Sequence, residues 1–243
     1  MAETNRISTF IANRNHGQYL KKAANSILGQ TIPPFELLLL DDASTDDSAE
    51  VMEEIQKGYT GKTHIKIRLR AHHEGHIYLY RKGILWSQGE FIHLMAADDE
   101  IRTDFYEKAL PFFDDPHVAM VFAGLRYIDP DSRSFGSPLL PPAEGVKDAK
   151  FWLLELQKRG NFICGGCVLI RRSVQLEVGS YTVDLPFSAD FMNWIRVLSR
   201  GHKAAAIAEP MYGYRLHPFQ MSSRGGAPAE EREVCRKALE EAL

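Results

Sequence analysis

With 243 residues, 44% of them hydrophobic, the chain can bury roughly 70–75% of the surface its unfolded form exposes, so one large domain with its own core is expected. A formal net charge of -3, with acids and bases interspersed, excludes the basic stripe of a nucleic-acid binder. No apolar run approaches the ~20 residues that span a bilayer, and residues 1–6 lack the basic-then-apolar layout of a signal peptide. Three cysteines, an odd count, suit a reducing compartment, and a cytoplasmic protein is expected.

The first hundred residues alternate strand and helix signals. Residues 7–12 read as a strand, and 19–28 as a helix with Tyr19, Leu20, Ala23, Ala24, Ile27 and Leu28 on one stripe. The stretch 35–40 is a short, nearly continuous apolar run ending in Asp41-Asp42, as in a strand covered on both faces. Capping residues 44–47 precede a helix through Ile55. A strand over 64–69, a helix over 76–86 and a strand over 91–95 follow, the last running into Asp98-Asp99. This alternation predicts a right-handed parallel α/β sheet, in which ligands bind at the carboxyl ends of the strands. Both acidic pairs fall at such ends.

The second half is less regular. Residues 138–142, rich in proline, predict a mobile loop, with a helix over 147–158 behind it. A strand is expected at 168–170, a helix at 187–200, two strands at 204–208 and 211–215, and an acidic helix over 229–243. A carboxylate pair at a strand end can hold Mg²⁺ or Mn²⁺, which take oxygen ligands together with substrate phosphates. Asp98-Asp99-Glu100 can equally be a solvated turn capping a helix from Arg102.

Four blocks carry a resemblance to a known family. Asn15-His16-Gly17, the segment 26–31 (SILGQT), the segment 35–46 (FELLLLDDASTD) and the segment 89–92 (GEFI) leading to Asp98-Asp99 occur in order at compatible spacing. Together they resemble the family 2 glycosyltransferases of GT-A fold over nearly all of the first 110 residues, and more loosely from 165 to 217. The resemblance implies an α/β fold: a Rossmann-like, mostly parallel sheet flanked by helices, with a smaller mixed acceptor-side region. It divides the chain into a nucleotide-sugar-binding half (1–110), an acceptor-side half of the same domain (111–226) and a C-terminal helix (227–243).

The resemblance also implies roles. Ala12, Asn13 and Asn15 would lie beside the nucleotide base and ribose, and Asp42 would accept from a uracil-type imide N–H. Asp98-Asp99 would be the DXD element, with Asp99 the metal ligand and Asp98 the ribose contact. Asp190 matches the position of the catalytic acidic residue, a general base that must reach the acceptor hydroxyl; read alone, it is a first-turn helix Asp. Glu209 and Asp184 are fallback bases. In the stretch 212–217 (YGYRLH), Arg215 or His217 is expected at the leaving diphosphate, and His217 is a further candidate metal ligand. Arg81 is a candidate diphosphate contact, and Trp194 is either a sugar platform or core. Three departures stand out: Ala12-Asn13-Arg14-Asn15 where relatives carry Pro-Thr/Ser-Tyr-Asn, Ala96 where they carry an additional Asp, and Tyr80-Arg81-Lys82-Gly83 where they often carry Arg-Asn before the glycine.

Two other motifs point elsewhere. Cys164-Gly165-Gly166-Cys167 has redox or zinc spacing, but zinc would lack ligands and a strand rather than a helix follows. His72-His73-Glu74-Gly75-His76 reads as a solvated loop, because neighbouring side chains on extended backbone diverge. The expected activity is hexosyl transfer, with inversion, from a UDP-sugar or similar nucleoside diphosphate donor to a saccharide or lipid-linked saccharide hydroxyl. It would serve surface polysaccharide or glycan synthesis, with peripheral association at the inner face of the membrane. A non-catalytic sugar-nucleotide-binding module would lack Asp190. A sugar-1-phosphate nucleotidyltransferase would need a glycine-rich phosphate loop that residues 12–17 do not supply.

Overall fold

The structure, a computed structural model, describes residues 7–221 and 226–243. Its first half alternates strictly: β1 (Ile7–Asn13), α1 (Gly17–Leu28), β2 (Glu36–Asp41), α2 (Ser48–Gly58), β3 (His64–Leu69), α3 (His76–Trp86) and β4 (Phe91–Ala96). Strands β3, β2, β1 and β4 lie side by side and parallel. The apolar run of β2 is buried at every position because helices cover both faces. Leu38 and Leu40 point into one core with Ile77, Leu79 and Ile84 of α3. Leu37 and Leu39 point into the other with Leu20, Ala23 and Ile27 of α1.

The second half completes one ten-stranded mixed sheet, eight strands in the order β3-β2-β1-β4-β9-β6-β10-β5 with β7 paired to β6 and β8 to β10, so the sheet runs unbroken through both halves. Its elements are β5 (Glu100–Ile101), α4 (Phe105–Ala109), β6 (Val118–Ile128), β7 (Ser134–Leu139), β8 (Gly145–Lys147), α5 (Ala149–Arg159), β9 (Val168–Arg171), α6 (Arg172–Glu177), α7 (Ala189–Ser199), β10 (Lys203–Arg215) and α8 (Ala229–Ala242). The two expected strands around Glu209-Pro210 are one strand, β10, with register shifts at Pro210 against β6. The proline-rich segment expected to be a loop begins as β7, paired antiparallel with β6. The helix expected from Arg102 is preceded by β5, which pairs with β10.

Helices α5, α7 and α8 pack on the same face as α3. Trp194 belongs to that core: it is 1% exposed, and its Nε1 donates to the Ile163 carbonyl at 3.2 Å. It is therefore not a sugar platform, because a ring buried in the core offers no face to a ligand. Among the described residues, no helix is long and apolar enough to cross a membrane.

Candidate active site

The carboxyl ends of β1, β2 and β4 deliver Asn13, Asp41-Asp42 and Asp98-Asp99 to one edge of the sheet, and β10 ends beside them at Arg215–His217. The two acids of the second pair face differently. His217 Nε2 lies 3.0 Å from Asp98 Oδ2, and His16 Nδ1 lies 3.9 Å from the same oxygen. The ligand atoms of His16, Asp98 and His217 all fall within 4.8 Å of one another. One carboxylate and two imidazoles suit a divalent ion such as Mn²⁺. Burial opposes the charge on Asp98, but the His217 hydrogen bond and nearby His16 hold it below the usual carboxylate range.

Asp99 points the other way. Its Oδ2 accepts from the Tyr212 hydroxyl at 2.7 Å and its Oδ1 from the Arg215 N–H at 2.8 Å. Burial and the Asp98 charge push its carboxyl well above the ordinary value. A carboxylate that resists ionisation and is already bonded at both oxygens is poorly suited to a cation. Asp98 is the acid that converges with His217, while Asp99 is held by Tyr212 and Arg215.

Arg215 departs from expectation too. Its guanidinium is buried, donating to the Asp98 carbonyl at 2.7 Å, the Asp129 carbonyl at 2.6 Å and the Glu100 carboxylate. Every arm is engaged, so it staples the loop from 129 to 132 to the strand ends instead of facing a diphosphate. Arg81 is exposed on α3. A nearer cation, passed over in the sequence, is Arg14. It lines a cleft of about 410 Å³ with Asn15, His16, Pro218 and Phe219, next to the His16–Asp98–His217 cluster. Its signal was the ANRN departure itself, which replaces an aromatic residue with a cation.

The first acidic pair is bonded to the loops around it. Asp41 accepts from Asn13 Nδ2 at 2.8 Å and from the Ser44 N–H at 2.8 Å. Asp42, 1% exposed, accepts from the Glu74 N–H at 2.9 Å, the Gly75 N–H at 2.8 Å and His73 Nδ1 at 2.6 Å. The histidine-rich segment is therefore anchored on Asp42 through His73, and His76 is tied to the Pro186 carbonyl at 2.9 Å. Ala12 is half-buried, while Asn13 is buried with its Oδ1 lacking a hydrogen-bond partner. Asn15, exposed and at φ 56°, accepts from the Thr45 N–H at 2.7 Å.

Asp190 sits in the first turn of α7, packed on the one-turn segment Gly165–Cys167. Burial pushes its carboxyl up to about 6, against the Phe191 N–H, the Asn161 side chain and the Gly165 N–H, which steady the anion. Burial pushes the Tyr80 hydroxyl of α3 upward, and the charges of Asp190, Asp98 and Asp99 add to the shift. The fallback bases are elsewhere: Glu209 is bound by Lys108 and Arg102, and Asp184 is an exposed partner of Thr182. Burial raises both Cys164 and Cys167, the latter to about 12, the opposite of an activated redox pair.

The fold is an α/β sheet carrying acids at its parallel strand ends, and residues 8–179 match the family model for Glycosyl transferase family 2. The chain belongs to that family and is a glycosyltransferase. An uncharacterized glycosyltransferase of Nostoc sp. is 30% identical over 242 residues, covering 96% of this chain and 71% of that protein. The putative teichuronic acid biosynthesis glycosyltransferase TuaG of Bacillus subtilis is 21% identical over 234 residues, covering 96% and 88%. The crystal structure of S. aureus TarS 1–349 in complex with UDP-GlcNAc matches with a TM-score of 0.76 at 16% identity, over 98% of this chain and 66% of that one. The chain spans about two thirds of that TarS fragment, and the likeness shows a shared GT-A fold.

Proposed function

We propose that this enzyme transfers a sugar, with inversion, from a UDP-type donor to a hydroxyl of a saccharide or lipid-linked saccharide during surface polysaccharide synthesis. The single observation that carries the reading is the convergence of Asp98 with His16 and His217 at the strand ends, and Asp190, raised to about 6, supplies the proton-accepting acid. The UDP and UDP-GlcNAc complexes of TarS and the name of TuaG support the donor class and the polysaccharide setting.

Asp98 and His217, with His16, are the residues that would hold Mg²⁺ or Mn²⁺, and the ion when bound neutralises charge on the diphosphate. Arg14 adds a cation at the cleft mouth, with Arg81 a more distant one. A carboxylate offers about four lone-pair sites, and Asp42 uses three, which leaves one for an imide N–H of the base. Ala12, Asn13 and Asn15 border that position. Asp190 takes the acceptor proton as the acceptor oxygen attacks the anomeric carbon from the face opposite the diphosphate. The C–O bond to the diphosphate breaks, its electron pair leaves with the diphosphate oxygen, and the proton stays on Asp190.

A carboxyl near 6 is largely ionised at neutral pH yet still basic enough to help, as a general base requires. Asp190→Asn is expected to fold, to bind donor normally and to lose about 10²–10⁴ in turnover. Turnover close to that of the unaltered enzyme would overturn the assignment. A thermal-shift panel of UDP-, dTDP- and GDP-sugars with and without Mn²⁺ identifies the donor, and the largest cation-dependent shift is expected with a UDP-sugar.

A further inference from the structure

We infer that His93, which touches no substrate, is a positioning residue for the transfer: it holds the Gly165-Gly166 turn in place against Asp190. The inference rests on the reading of Asp190 as the base. His93 lies in the middle of β4 and is 0% exposed, amid an apolar run where a polar ring is costly unless fully bonded. Its Nε2 is 2.9 Å from the Gly166 carbonyl, and its Nδ1 is 2.8 Å from the Tyr106 hydroxyl. That hydroxyl is 2.6 Å from Thr9 Oγ1 on β1.

The chain of bonds has one direction. A carbonyl only accepts, so Nε2 must carry the ring proton. A neutral ring then has a bare Nδ1, which accepts from the Tyr106 O–H. Tyr106 has thereby spent its proton, so the Thr9 hydroxyl must donate to it. Protonating the ring would place an N–H against Tyr106 and reverse the order, and burial already pulls His93 down to about 4. A neutral donor of fixed tautomer, anchored to the central strand β1 and to α4, thus grips Gly166.

What is gripped abuts the chemistry on two sides. A Cβ on Gly166 would collide with the Tyr212 hydroxyl, which donates to Asp99. A Cβ on Gly165 would lie 3.5 Å from Asp190 Oδ2, and the Gly165 N–H stabilises the Asp190 anion. Two consecutive glycines have the widest backbone freedom of any pair, so a bond to Gly166 is what keeps that N–H aimed. The other groups around Asp190 are Tyr80 of α3, Tyr181, Cys164 and Cys235 of α8, all pushed upward, and the uncharged Asn161. Asp99, also pushed upward, and His16 lie in the same part of the fold, so the acid limb near pH 6 is assigned to Asp190 by its absence from the residual activity of Asp190→Asn.

The test compares three variants of the whole chain. His93→Phe keeps a ring but removes both bonds, and is expected to lower kcat about 10–100-fold with donor KM unchanged within about twofold. The midpoint of its acid limb should rise by about one pH unit as the Gly165 N–H drifts from the carboxylate. His93→Gln, which can still donate to Gly166, should recover most of the loss. Ser8→Ala removes a comparably buried hydroxyl, bonded to Glu36 and the Gly89 N–H, and should lower Tm without moving the pH limb. A folded His93→Phe with the original kcat and limb, or a limb that moves equally in Ser8→Ala, overturns the inference. Should His93→Phe not fold, ¹⁵N spectra of the unaltered protein decide: a neutral Nε2–H ring from pH 8 to 5 is expected, and an Nδ1–H ring contradicts it. An active Asp190→Asn would instead sink the base reading, leaving the tautomer result to stand separately.

Discussion

Two acidic pairs end the two strands that flank β1, and in the sequence they look alike. In Asp41-Asp42, both acids face inward to build the edge: Asp41 fixes Asn13 and Ser44, and Asp42 anchors the backbone of Glu74 and Gly75. In Asp98-Asp99 the labour divides, with Asp99 locked beneath Tyr212 and Arg215 while Asp98 turns to His16 and His217. The difference is one of partners. Donors aimed at a carboxylate from fixed backbone make it structural, whereas imidazoles that can exchange a proton for a cation leave it open to a ligand.

The contrast can be broken in several ways, beginning with the largest effect. Asp98→Asn is expected to leave Tm almost unchanged and to lower kcat by about 10²–10³, since the ion that neutralises the departing diphosphate would lose its carboxylate ligand. Next comes pH. With the Asp190 carboxyl at about 6, kcat should climb about tenfold per pH unit below 6 and level off above 7. The same shift has a stability sign. A carboxyl raised above its unfolded value favours the fold most at low pH and loses that advantage as pH rises through about 6. Asp190→Asn should therefore gain Tm over the parent between pH 4 and 7 and match it below that window. Asp99→Ala should cost about 1–3 kcal/mol in denaturant unfolding, because it leaves the buried Tyr212 hydroxyl and Arg215 N–H without an acceptor. Asp42→Asn should cost about 1 kcal/mol and speed tryptic cleavage after Arg70, as the 73–75 segment loses an acceptor.

The parallel half of the fold was legible because its strands are buried on both faces and its helices carry clean stripes. The strand over 64–69 and the helix over 76–86 fall where their patterns place them. The antiparallel half was not. Strand β6 passed without a prediction despite its apolar run, β7 is exposed along its whole length, and Pro210 made the single strand β10 look like two. At the site, motif spacing located Asp98, Asp99, His217 and Asp190, but spacing cannot say which way an acid faces. That depended on Tyr212, Arg215 and His16, brought in from more than eighty residues away by the sheet. The guanidinium of Arg215 read as a ligand contact because nothing in one dimension reveals that carbonyls of the 129–132 loop surround it.

We propose that Asp98, rather than Asp99, carries the cation, and calorimetric titration of Mn²⁺ into the UDP-saturated enzyme tests this most directly. Binding is expected in the unaltered protein and in folded Asp99→Asn, and its loss is expected in Asp98→Asn and His217→Ala. Retained binding in Asp98→Asn, with loss in a folded Asp99→Asn, would contradict the account and restore the assignment read from the sequence.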